Sequence, residues 1–135
     1  MDMEGRLKLV ILDDNELFAA LLAAALEDEF DVAVGHSGLH GISTCLEGGV
    51  AAVITDIGMP DLDGLQMLRE FRKDPRLSAI PVLVVTATHF TRLSREEFSR
   101  FPQVKRMLSK TESIETIIGE VRAVLRECGL LPPAP

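Results

Sequence analysis

A doubly wound α/β fold, with five parallel strands in one sheet and helices on both faces, is predicted by three features of the sequence. Short apolar runs alternate with stretches of helical periodicity along most of the 135 residues. Three of those runs, at 9–12, 50–55 and 82–86, are almost continuously apolar, as in strands covered on both faces. Capping and breaking residues fall between the runs. Repeated βα units of this size imply parallel strands joined by right-handed crossovers.

The expected strands are Leu7–Leu12, Phe30–Val34, Val50–Thr55, Ile80–Thr86 and Val104–Leu108. Between the first two, Leu17, Phe18, Leu21, Leu22, Ala25 and Leu26 recur at helical spacing, with Asp14 or Asn15 as N-cap. Leu39, Ile42, Cys45 and Leu46 make a shorter stripe that Gly48-Gly49 stops. Leu65, Leu68 and Phe71 make a third helix, ended by Asp74-Pro75. Ser94 to Glu97 reads as a capping box opening a short fourth. Ile114, Ile117, Ile118, Val121, Leu125 and Cys128 form the long fifth.

Composition narrows the function classes. With 47% hydrophobic and 26% charged residues, one domain can bury a core without staples. Cys45 and Cys128 have neither metal nor redox spacing, so free thiols in a reducing, cytoplasmic compartment are expected. The longest apolar runs, Leu21–Leu26 and Val82–Val85, are too short for membrane insertion, and no secretory leader is read at the start. A net charge of −7 argues against direct nucleic-acid binding. Residues 1–6 read as a flexible tail, 7–128 as the domain, and 129–135 as a Pro-rich tail or the start of a linker. No room for a DNA-binding module is read after Glu127.

Ligands of such sheets bind at the carboxyl ends of the strands. There the first strand is followed by Asp13 and Asp14 and the third by Asp56; the fourth ends in Thr86, and Ser109-Lys110 follow the fifth. Three clustered carboxylates repel one another unless a cation intervenes, and Mg²⁺ suits a site of carboxylates, water and phosphate oxygens. Lys110 supplies a point positive charge and Thr86 a hydroxyl donor. The chemistry that uses all five is phosphoryl transfer to a carboxylate.

Asp13-Asp14, the string Asp56-Ile-Gly-Met-Pro-Asp-Leu-Asp-Gly64, Thr86-Ala87 and Lys110 together resemble the receiver domains of two-component response regulators. The resemblance covers roughly residues 7–128 and implies a flavodoxin-like sheet of order 2-1-3-4-5, an order that general fold rules themselves illustrate with a receiver protein. It implies that Asp56 is the phosphoacceptor, charged by a sensor histidine kinase or phosphotransfer protein. Asp14, Asp56 and the carbonyl of Gly58 would hold Mg²⁺, or Mn²⁺ in its place, with Asp13 acting through a metal-bound water. Lys110, Thr86, Ala87 and Met107 would form the phosphoryl-binding and switch group. An unknown output protein or domain would read the result, and a homodimer is left open.

Several positions depart from the family pattern. Met107 stands where an aromatic switch residue is usual, so signalling is expected to rest on backbone movement of the 86–91 loop. Thr111 follows the lysine in place of proline, and a trans bond is expected. Phe101-Pro102-Gln103-Val104 replaces the usual approach to the fifth strand. Gly58 and Thr88 offer neither a strong base nor an amide clamp to attacking water, so a slow or unexceptional loss of phosphate is expected.

Taken singly, these residues have plain structural explanations: a loop acid with an N-cap, a strand threonine, a solvated lysine. Their ordered combination is what carries the reading. His36 and His40 read as surface or loop histidines, while His89 falls near the site. Asp61-Leu-Asp-Gly64 resembles the nucleophile motif of haloacid-dehalogenase-like phosphohydrolases, but it does not follow a strand directly. A calcium loop lacks its bidentate glutamate. The competing reading of the same fold is a docking module impaired in phosphorylation.

Overall fold

The computed structural model describes residues 5–59, 61–87 and 92–133. Its elements run β1 (Lys8–Leu12), α1 (Glu16–Leu26), β2 (Asp31–Gly35), α2 (Gly38–Leu46), β3 (Val50–Thr55) and α3 (Gly64–Lys73). Then follow α4 (Pro75–Ser78), β4 (Val82–Thr86), α5 (Arg92–Ser99), β5 (Val104–Ser109) and α6 (Ile114–Glu127). The five strands form one parallel sheet in the order β2-β1-β3-β4-β5. The doubly wound fold and its expected strand order are therefore the ones formed.

Alternation along each strand sorts the core into two layers. Leu9 and Ile11 of β1, Ala52 and Ile54 of β3, and Leu83 and Val85 of β4 pack with Leu22, Leu26, Ile117 and Val121 from α1 and α6. Val10, Leu12, Val53, Val82 and Val84 face the opposite layer, with Leu68 and Phe71 of α3 and Phe98 of α5. Burying a side chain such as Phe71 stabilises the fold by roughly 1.5–3 kcal/mol. Both cysteines are free: Cys128 is exposed, whereas burial pushes the Cys45 thiol up to about 11, although the nearby Lys8 charge opposes it.

Among the described residues six helices stand where five were expected. Asp74-Pro75 does end α3, but it also opens α4, with Asp74 as N-cap and Pro75 in the first turn. Ser94 lies inside α5 instead of before it; Ser and Glu three apart are also ordinary neighbours on a helix surface. In α1, Ala19, Leu22 and Leu26 are buried, while Leu17 is 71% and Leu21 54% exposed, so the apolar stripe is wider than the buried face. Leu39 and Leu46 of α2 and Cys128 beyond α6 are likewise exposed. Among the described residues there is no cis peptide bond, so Lys110-Thr111 is trans as expected. No described helix is long and apolar enough to cross a membrane.

Register positions the carboxyl edge. Irregularities in pairing fall at the other end, between Lys8 and Leu9 and between Val82 and Leu83. By the last rungs the strands are level: Leu12 pairs with both Gly35 and Thr55, and Thr86 with Ser109. Asp13, Asp56 and Lys110 each come one residue past such a rung.

Candidate functional site

Backbone hydrogen bonds extend the ladder just past the strands. The Asp13 amide donates to the Gly35 carbonyl at 3.1 Å, the Asp56 amide to Leu12 at 2.9 Å, and the Lys110 amide to Thr86 at 2.9 Å. The main chain therefore fixes where the site's side chains begin. Asn15 caps α1 by accepting from the Phe18 amide, which turns the chain away directly after Asp13-Asp14. Asp63 caps α3 in a reciprocal capping box with Gln66, bringing α3 down beside Asp56.

Asp13, Asp14 and Asp56 each offer a carboxylate oxygen, and these oxygens lie within 4.8 Å of one another. Asp13 is 2% exposed and Asp56 9%, whereas Asp14 is open to solvent. The Lys110 ammonium bridges the two inner acids, with Nζ 2.7 Å from Asp13 Oδ2 and 3.1 Å from Asp56 Oδ2. Asp13 Oδ1 accepts from the Asn15 amide at 2.8 Å, and Asp56 Oδ1 from the Ile57 amide at 2.7 Å.

Burial pushes the Asp13 carboxyl above its usual value, more than its bonds from Lys110 and Asn15 pull it down, and the Asp56 charge adds to the rise. Burial alone would lower Lys110, but its bonds to Asp13 and Asp56 outweigh this and raise it. A single ammonium faces two buried carboxylates, so it stays charged and they remain in excess.

The donor set is all oxygen and rich in carboxylate, which is the chemistry of a hard divalent cation. The expected metal residues Asp13, Asp14 and Asp56 are brought together. Gly58 is exposed, with open space where a side chain would be. Thr86 is buried at the same edge, followed by exposed Ala87. Met107 lies in β5 opposite Val84 and packs, partly buried, against the α3 and α5 layer. Residues 88–91, and with them Thr88, His89 and most of the loop expected to move, lie outside the described residues, as does Pro60.

Other residues join the site that the motif does not mark. The Phe18 ring centroid lies 4.6 Å from Lys110 Nζ, a cation–π contact that covers the ammonium from the α1 side. Its signal was the helical spacing of Phe18 behind the Asn15 cap. His36, expected to be a plain loop residue, places Nδ1 2.8 Å from the Asp13 carbonyl oxygen. A carbonyl only accepts, so that nitrogen carries the proton. Asp61 holds the amino end of α2: its carboxylate accepts from the Leu62 amide at 2.7 Å and bonds the Ser37 hydroxyl and Gly38 amide.

A family model described as response regulator receiver domain matches residues 9–122. The transcriptional regulatory protein YkoG of Bacillus subtilis is 31% identical over 122 residues, which cover 90% of this chain and 52% of that protein. The chain thus spans about half the length of that relative, and it likewise covers 52% of the transcriptional regulator RpaA of Synechocystis. Protein PilH of Pseudomonas aeruginosa is 29% identical, with 87% of this chain and 97% of PilH aligned. Among solved structures, the chemotaxis protein CheY4 of Vibrio cholerae superposes with a TM-score of 0.82 at 19% identity, over 90% of this chain and 100% of that one. That likeness is one of fold.

Proposed function

Since the chain belongs to the response regulator receiver domain family, we propose that Asp56 is its phosphoacceptor and that the edge around it is the phosphorylation site. Receiver domains act as phosphoacceptors within two-component signalling, and the acidic cluster fits that role. The observation that carries the residue assignment is the bridge of Lys110 between Asp13 and Asp56 beside Asp14.

In the step we infer, an Asp56 carboxylate oxygen attacks the phosphorus of a donor phosphohistidine. An O–P bond forms and the P–N bond breaks, and the imidazole leaves with the bonding pair and takes up a proton. Asp13, Asp14, Asp56 and the Gly58 carbonyl would hold Mg²⁺. The ion would offset negative charge on the phosphoryl oxygens. Lys110 is already within bonding distance of Asp56 and exchanges a carboxylate partner for a phosphoryl oxygen without crossing the site. Its contact with Phe18 keeps water off one side of the ammonium. Thr86 would donate its hydroxyl to another phosphoryl oxygen. Met107, in β5, belongs to the surface of α5, β5 and α6 on which we place the output.

The donor in this reading is a sensor histidine kinase or phosphotransfer protein in the cytoplasm. Residues 7–128 are the receiver unit, flanked by tails at 1–6 and 129–135. Loss of the phosphoryl group is slow or unexceptional, because neither Gly58 nor Thr88 offers attacking water a strong base or an amide clamp.

The test is intact-protein mass after incubation with acetyl phosphate, with and without Mg²⁺, for wild type and Asp56→Ala. One adduct that needs both the metal and Asp56 is expected. No adduct, with Mg²⁺ binding intact by titration, would point to a docking module or to a demand for a specific donor. Steady turnover of p-nitrophenyl phosphate would instead make it a phosphohydrolase.

A further inference from the structure

Away from the carboxylate edge, Leu65, Arg69 and Arg72 line one side of α3 at intervals of four and three residues, so their side chains share a face. Opposite stand Glu97 on α5 and Arg100 and Phe101 just beyond it, enclosing a hollow of about 100 Å³. A shallower hollow of about 460 Å³ shares Arg69 and Arg72 and continues along α3 to Lys73. In a chain of net charge −7, the two hollows together present Arg69, Arg72, Arg100 and Lys73 against Glu97 and Glu70, and Glu70 is paired with Lys73.

Arg72 is held in place before anything binds. Its guanidinium stacks 4.1 Å from the Phe101 ring centroid, and Nη2 donates to the Arg100 carbonyl at 3.2 Å. Neither partner neutralises its charge, and the restricted rotamer lowers the entropy lost on binding. Arg69 is more loosely engaged, 3.7 Å from Glu97 with its side chain 57% exposed. Leu65 and Phe101 give the groove an apolar floor.

We propose that this groove between α3 and α5 docks an acidic peptide segment of a partner protein, with carboxylates flanking an apolar side chain. Planar guanidinium groups pair with carboxylates in two parallel hydrogen bonds, which rewards separated acids more than diffuse charge. A nucleic-acid backbone fits worse. Its unbroken phosphates would run past Glu97 and approach a molecule whose overall field repels them. The site does not depend on Asp56 being phosphorylated.

The probe is a displayed random peptide library panned on the full chain, followed by fluorescence anisotropy of the enriched peptides in labelled form. Enriched peptides should carry Asp and Glu around a Leu or Phe. They should bind Arg69→Glu/Arg72→Glu at least about tenfold more weakly than wild type. Arg126→Glu, an exposed change on α6, should leave binding unchanged. Both variants should keep cooperative melting and the acetyl phosphate adduct, separating loss of the groove from loss of fold or of the phosphorylation site. Panning that enriches nothing, or peptides without an acidic excess, would overturn the proposal. So would equal affinity for the double variant, or equal competition by a DNA duplex.

Discussion

The Gly64 amide donates to the Ile57 carbonyl at 2.7 Å, and a Cβ built on Gly64 would sit 2.7 Å from the Asp56 carbonyl oxygen. The neighbour is backbone, which has little room to yield. Two effects of Gly64→Ala therefore compete: a gain of helix propensity of at most about 1 kcal/mol, and an overpacking cost of roughly 1–3 kcal/mol. The gain is weakest in a first turn, so the cost wins. Gly64→Ala should lower stability by roughly 1–2 kcal/mol and slow adduct formation at Asp56, as read by urea unfolding and by mass. A variant as stable and as reactive as wild type would mean that the loop gives way freely. Among the individual side chains, Asp13, Asp14, Asp56, Thr86 and Lys110 were legible because each follows or ends an apolar run. Phe18 and His36 were not, because their contacts with Lys110 and the Asp13 carbonyl join segments far apart in the chain.

Asp61 ties one element to another. The slight burial it has would raise its carboxyl, but bonds from the Leu62 amide, the Ser37 hydroxyl and the Gly38 amide outweigh this and hold it below the usual carboxylate range. The loop after β3 is thereby fastened to the start of α2, where Gly38 lies too close to the Leu62 backbone for any side chain. A carboxyl lowered by folding adds stability above its unfolded value and loses it as pH falls through the folded one. Asp61→Asn should thus be less stable than wild type at pH 7, and the gap should close on acidification below the ordinary range for Asp. Denaturant midpoints across pH check this; a gap constant with pH would remove the charge from the explanation. At this scale the strands were read well and the helix ends poorly. Asp74-Pro75 served two helices at once, and the leucines of α1 spread over more of its surface than the sheet covers. Gln103, noted only as a departure from pattern, is buried and donates to the Leu77 and Ile80 carbonyls at 3.1 and 2.9 Å, joining the start of β5 to the turn after α4. That job follows from α4, a four-residue helix too short to show a periodic apolar stripe in the sequence.

For the molecule as a whole, the carboxylate excess at the edge is a burden that a bound dication would relieve. A ligand that binds only the folded state stabilises by mass action, by about 2.7 kcal/mol at one hundred times its dissociation constant. Mg²⁺ should raise the melting temperature by several degrees and EDTA should reverse the rise. Asp13→Asn/Asp14→Asn should abolish it, as followed by scanning calorimetry. A melting temperature indifferent to Mg²⁺ would count against the metal assignment. The parallel fold, its two-layer core and the acidic edge were legible because they rest on local pattern repeated five times. The basic groove was not, since it arises where α3 and α5 meet and no single stretch of sequence announces it. The strand order also bears on when the protein becomes useful. Asp56 and Lys110 are bonded although 54 positions apart, and the lysine follows β5, an edge strand and the last of the described strands. A chain leaving the ribosome carries its acidic trio well before the ammonium that steadies it. The ammonium reaches the acidic trio only once β5 docks on the edge of the sheet, so a long-range step of folding completes this cluster.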